Sequence, residues 1–189
     1  VDVTPAVDIV PGPAQRLRLY LPSLLKPGDA ADLRIVAEDR WANPTTLPGR
    51  LRLRGEGPLA GLPETVGAEP DAATAALRVP GITATEAGVA RVWAAWDGDD
   101  QGTEFESNPL VVDPSSDGRL VWADMHGQSG ETIGTGTIDD YFRFARDLAC
   151  IDVAGHQGND FQITREFWAR LQGVTAGFNE DGRFITFPG

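Results

Sequence analysis

Cysteine, lysine and histidine are all scarce in this chain of 189 residues. Cys150 is the only cysteine, so no disulfide can form within the chain and a multi-cysteine zinc site is excluded. Lys26 is the only lysine, in the turn-like run Leu25-Lys26-Pro27-Gly28-Asp29, away from any glycine-rich phosphate motif. A Walker-type phosphate loop is therefore absent, and Schiff-base chemistry has one poor candidate. Basic charge is also short: 16 basic against 28 acidic side chains leave a net charge of -12. Such a chain lacks the basic face that releases counterions from nucleic acid, so no nucleic-acid partner is expected. No apolar run approaches the ~20 residues of a membrane-spanning helix, so no membrane partner is expected either. Val1 opens the chain without a basic and apolar leader, and compartment stays open. The apolar share of 41% and charged share of 23% suit a globular chain of one or two domains.

What is present divides into two patterns. Up to about residue 110 the apolar residues alternate, as in Arg16-Leu17-Arg18-Leu19-Tyr20-Leu21, in Leu33, Ile35 and Ala37, and in Leu51-Arg52-Leu53-Arg54. Further candidate strands are 74–79, 88–96 and 107–112. Pro11-Gly12-Pro13, Asn43-Pro44, Leu47-Pro48-Gly49 and Asp97-Gly98-Asp99-Asp100 read as the turns between them. The expectation is an antiparallel, immunoglobulin-like β-sandwich over residues 1–113. Trp93, Trp96 and Trp122 read as core, and Trp41 as a packing plug beside Asn43-Pro44.

Asp113-Pro114-Ser115-Ser116-Asp117-Gly118 is a linker by composition, and the period changes after it. Residues 119–126 read as a strand and Gly127 to Gly136 as a glycine-rich loop. Thr137 reads as the cap of a helix whose Ile138, Tyr141, Phe142, Ala145, Leu148 and Ala149 form one stripe. Cys150, at the end of that stripe, reads as buried and inert. Residues 151–156 read as a second strand, Thr164 as the cap of a second helix, and 183–187 as a third strand. This β-α-β-α-β order predicts parallel strands with crossover helices over residues 118–189. Three such strands leave an open edge, so a longer chain or a second chain is expected to complete the fold.

The chemistry concentrates in Asp124-Met125-His126-Gly127-Gln128-Ser129-Gly130-Glu131 and Gly155-His156-Gln157-Gly158-Asn159-Asp160. On a regular strand Asp124, His126 and Gln128 share a face. They sit at the carboxyl end of a strand that feeds a helix, where α/β folds place their sites. His156, the other of the two histidines, stands at the same place on the next strand, roughly 4.8 Å away laterally. Two such histidines can share one metal ion. Ser129 has no further histidine with which to build a separate triad, and reads as a loop hydrogen-bonder.

Asp124 to Ser129 resembles the first metal motif of the polymerase and histidinol phosphatase (PHP) superfamily, His-x-His followed by Ser or Thr. Ala154-Gly155-His156 resembles its second motif. The wider chain resembles an uncharacterised PHP-like bacterial family that joins an N-terminal immunoglobulin-like domain to a metal-dependent hydrolase barrel. Ala37 to Pro44, Glu106 to Pro109, His126 to Glu131, Gly155 to Asp160 and Phe184 to Gly189 carry that likeness. The resemblance implies the opening β-α-β-α-β units of a TIM-like (β/α) barrel that continues beyond Gly189. It implies a divalent metal ion (Mn, Zn, Fe or Mg) on His126, His156, Asp124 and Gln128. Glu131 and Asp160 are the reserve ligands or general bases. It further implies hydrolysis of a small-molecule ester or phosphoester by metal-activated water. Gln128 and Gly155 depart from the motifs, where histidine and aspartate are usual. The alternative is a binding or scaffolding protein whose sandwich does the work and whose barrel is degenerate.

Overall fold

The computed structural model describes residues 9–67, 75–99 and 102–189. Thr74, in one expected strand, and Asp100, in one expected turn, lie outside the described residues. The chain runs β1 (Arg16–Tyr20), β2 (Leu24–Leu25), β3 (Ala30–Glu38), β4 (Arg50–Glu56), β5 (Leu59–Ala60), β6 (Thr65–Gly67) and β7 (Ala76–Ala84). It continues through β8 (Gly88–Trp96), β9 (Phe105–Glu106) and β10 (Leu110–Val112). Then come β11 (Ala123–Gly127), α1 (Ile138–Asp147), β12 (Val153–His156), α2 (Arg165–Phe178) and β13 (Ile185–Pro188).

The alternation seen in the sequence becomes burial. Leu17 and Leu19 of β1, Leu33, Ile35 and Ala37 of β3, and Leu51 and Leu53 of β4 all point into one core, while Arg16 and Arg18 turn outward to Glu38. One sheet has the order β1-β3-β7-β5; the other runs β2-β10-β8-β4-β6, with β9 also on β8. A single apolar cluster draws residues from both sheets, so the sheets face each other across it. Each fully buried Leu, Ile or Val stabilises the fold by about 1.5–3 kcal/mol relative to exposure. The second sheet is not purely antiparallel as expected, because β10 runs parallel to β2.

The Glu38–Pro44 stretch is fixed by one side chain. The Asp39 carboxylate is buried and accepts from the backbone N–H groups of Gly12, Trp41 and Asn43 and from the Asn43 amide. Burial would raise its pKa, but these hydrogen bonds outweigh it and hold the carboxyl well below the usual aspartate range. Trp41 is not a plug: it is 63% exposed, with the Arg40 guanidinium 3.8 Å over its ring.

From residue 123 onward the chain builds a smaller body with its own apolar cluster. β11, β12 and β13 pair in parallel, in that order. α1 starts at a capping box, in which Thr137 accepts from the Asp140 N–H and the Asp140 carboxylate accepts from the Thr137 N–H. Thr164 caps α2 by accepting from the Phe167 N–H at 3.0 Å. Ile138, Phe142 and Ala145 of α1 and Leu171 of α2 pack with Ala154 and Phe184 on one face of the sheet. The other face leaves Met125, Ile185 and Phe187 exposed.

The expected fold class needs correction. Among the described residues the chain is mostly β, about 40% strand spread over several sheets against 16% helix, with two α-helices. No barrel closes among the described residues: the three parallel strands form an open sheet with helices on one face. Closing a (β/α) barrel takes eight tilted strands with matched shear, and three cannot curl round on themselves. An alternation of strands and helices therefore does not define the opening of a barrel. The first strand also starts late, at Ala123, and Leu120, Val121 and Trp122 before it are exposed. Trp122 is thus not core, and Trp93 and Trp96 are only half-buried.

Candidate functional site

The site residues surround the carboxyl ends of β11 and β12. Asp124 pairs with Ala154, but Gly127, three residues on, pairs with His156, two residues on. β11 therefore carries one extra residue, a bulge, and strict alternation fails across it. Asp124, His126 and Gln128 do not share a face as expected.

β12 is regular, so Ala154 and His156 share the helix-covered face, and Gly155 and Gln157 turn to the other. His156 is fully buried, its ring 5.9 Å from that of Tyr141 and 5.7 Å from that of Phe167. His126 is exposed and places Nδ1 2.8 Å from Gln157 Oε1, on the opposite face. The bulge thus separates the two histidines that the sequence pattern brings together.

His126 stands on a shaped piece of backbone. Its N–H donates to Asp124 Oδ1 at 3.0 Å. With the Gln157 amide oxygen facing the ring, Nδ1 is the donor, and Nε2 makes no hydrogen bond among the described residues. Gln157 is a residue that the motif reading missed. Its signal was its place directly after His156, which puts it on the side opposite that ring. Gly127 is required by Tyr141: a Cβ there would lie 2.1 Å from the ring. The Tyr141 hydroxyl donates to Gly155 O at 3.1 Å. Burial first, and then the Asp124 charge, push its pKa up to about 12, so it stays a donor.

His156 does different work. Its Nε2 accepts from the Ser129 backbone N–H at 3.1 Å and lies 2.9 Å from the Ser129 hydroxyl. A backbone N–H can only donate, so Nε2 is an acceptor and the ring is the neutral Nδ1–H tautomer. Its Nδ1 is buried without a hydrogen-bond partner among the described residues. Burial lowers its pKa, against the opposing charge of Glu131. Ser129 and His156 have the spacing of a nucleophile and base, but both are fully buried and no carboxylate orients the ring. The pair anchors the loop after β11 to β12. Ser129 O in turn accepts from the Thr132 and Gly134 N–H groups, and Gly136 O accepts from Gly130. The glycine-rich loop is tied down along its length.

Glu131 and Asp160 do not meet at His126. Glu131 Oε1 accepts from Arg170 at 3.1 Å and faces the first N–H of α1 at 3.4 Å. Burial would raise its pKa; the Ser129 hydroxyl, the Glu131 and Ile138 N–H groups and the Arg170 charge hold it below the ordinary glutamate value. Asp160, in a 3-10 turn over Asp160–Gln162, is exposed and accepts from the Phe161 N–H. Gln128 is half-buried, and its Oε1 has no hydrogen-bond partner among the described residues.

The donor chemistry fits a divalent ion in part. Of the expected ligands, His126 offers an exposed ring nitrogen, Nε2, with no hydrogen bond among the described residues, while the Asp124 carboxylate is turned to the His126 backbone N–H. His156 has its Nε2 committed to Ser129. Among the described residues no three His, Cys, Asp or Glu side chains converge on one point. A complete coordination sphere requires donors from elsewhere.

No protein-family model matches the chain. It is 24% identical over 191 aligned positions to an uncharacterised protein of Chlamydia muridarum, covering 97% of this chain and 30% of that protein. An uncharacterised protein of Chlamydia trachomatis is 28% identical over 87 residues, 45% of this chain and 14% of that protein. The chain thus spans less than a third of the length of these relatives.

Proposed function

We propose that the longer protein to which this chain corresponds is a metal-dependent hydrolase of esters or phosphoesters, to which this chain contributes His126. The observation that carries the reading is the His126 ring: Nδ1 is held by Gln157, Nε2 is open, and the residue stands at the carboxyl edge of a parallel sheet. Metal-binding histidines almost always engage their second nitrogen in this way, which fixes tautomer and aim. The motif resemblance supports it. A bound divalent ion supplies a Lewis acid and a water acidic enough to attack at neutral pH. Within this chain, Gln157 orients His126, Asp124 holds its backbone, and the buried Ser129–His156 pair fixes the loop that follows. The remaining ligands then belong to the two thirds or more of the relatives' length that this chain does not span.

The test is metal content by elemental analysis on the longest natural chain, followed by a phosphoester screen. Near-stoichiometric metal is expected, with loss of metal and a fall in turnover of about 100-fold or more in His126→Ala. Gln157→Leu, which keeps the ring but frees it, is expected to weaken metal affinity about 10-fold to 100-fold. A folded long chain that takes up no metal when offered it would reject the reading. It would favour the other one, a binding protein, to which the engaged His156 nitrogen already points.

A further inference from the structure

A second site lies at the other end of the three-stranded sheet. Residues 119–122, 151–152 and 182–183 precede β11, β12 and β13, and together they face the β1-β3-β7 sheet. Between them is a cleft of about 570 Å³, a size that suits a small organic ligand. It stands roughly 13 Å along β11 from His126, counting four residues at strand rise. Its function is therefore independent of the metal reading.

The charge in the cleft runs against that of the chain. Arg34, Arg78, Arg119 and Arg183 line it, against Asp32 and Asp152, in a protein of net charge -12. Most of these guanidinium groups are engaged. Arg78 pairs with Asp32, Arg183 with Glu180, and Arg34 donates to Cys150 O at 2.9 Å with Asp152 at 4.0 Å. Arg119 is different: it makes one long contact, 3.4 Å to Gly182 O, and pairs with no carboxylate among the described residues.

Two aromatic side chains accompany it. Trp122 is 62% exposed yet held in place, its indole N–H donating to Ser23 Oγ at 2.9 Å. Tyr20 also lines the cleft, and its hydroxyl makes no hydrogen bond among the described residues. Cys150 borders the same space in a left-handed conformation (φ 56°), half-buried beyond the end of α1 rather than within its apolar stripe. An uncommitted guanidinium, an unpaired hydroxyl and a fixed indole face form a recognition set for an anion with a flat apolar body.

We propose that this cleft binds a small organic anion, a carboxylate or a phosphate monoester on an aromatic body, with Arg119 taking the charged end. The 189-residue chain would be titrated calorimetrically with phenyl phosphate, phenylacetate and the uncharged control phenol. Cys150, the only thiol, reports location through its rate of alkylation. The expected result is a dissociation constant of about 1 mM or tighter for at least one anion. Phenol should bind at least about tenfold more weakly, the anion should slow alkylation, and Arg119→Gln and Trp122→Ala should each cost about tenfold in affinity. Whichever anion binds more tightly identifies the charged group. Failure of both anions to bind, binding unchanged in Arg119→Gln, or an unprotected Cys150 would overturn the proposal.

Discussion

Replacing His156 by alanine is expected to destabilise the smaller body by about 3 kcal/mol, although the residue is one of only two histidines and would first be suspected of catalysis. The ring is fully buried between Tyr141 and Phe167, so its removal leaves a cavity. It also strands the Ser129 N–H, which then loses a buried acceptor. His156→Phe separates these effects: it retains an aromatic ring but no acceptor, and should cost about 1–3 kcal/mol. The same residue makes stability depend on pH. Burial lowers its pKa in the folded state below the ordinary histidine value of 6.5, so the unfolded chain takes up the proton first. Its contribution is therefore full above about pH 6.5 and is lost as pH falls below that, with a slope of at most about 1.4 kcal/mol per pH unit. Denaturant unfolding at pH 8, 6.5 and 5 checks this by subtracting the profile of His156→Phe from that of the parent. Superimposable profiles would mean that the ring is already protonated or already exposed.

The contrast between the two histidines shows where the sequence was readable. Local rules hold well for single elements. Leu17 and Leu19, or Leu33 and Ile35, alternate in sequence and are buried together. Thr137 and Thr164 cap the two helices that their positions predict. These features depend on neighbours a few residues away. The site depends on pairing between strands, and one extra residue in β11 changes which side chains share a face. The residues Asp124-Met125-His126-Gly127 do not announce that bulge, and the contact beside it is tertiary: Tyr141 of α1 sits where a side chain at Gly127 would be. Trp122 fails for a similar reason. It is apolar and precedes a strand, yet its indole N–H reaches Ser23 and its ring borders the cleft. The barrel expectation fails at a larger scale, since strand order and helix spacing are local, whereas closure is a property of the whole sheet.

Gly134→Ala is expected to destabilise the loop by about 3 kcal/mol, whereas Gly173→Ala, also a glycine-to-alanine change, is expected to stabilise the protein by about 0.5–1 kcal/mol. A Cβ on Gly134 would lie 2.3 Å from Gln128 O and 2.6 Å from its carbonyl carbon. Those are backbone atoms and cannot swing aside as the end of a long side chain would. Gly134 N also donates to Ser129 O, so relief of the clash pulls on the residue that His156 anchors. At Gly173, within α2, a Cβ meets nothing within 4 Å, and alanine removes the entropy penalty of glycine in a helix. Thermal unfolding of both variants against the parent decides the matter. If Gly134→Ala leaves the melting temperature unchanged or raises it, the loop does not pack as tightly as Gly134 requires. The geometry that supports His126 would fall with it, because Ser129, three residues after His126, anchors the chain as it leaves β11.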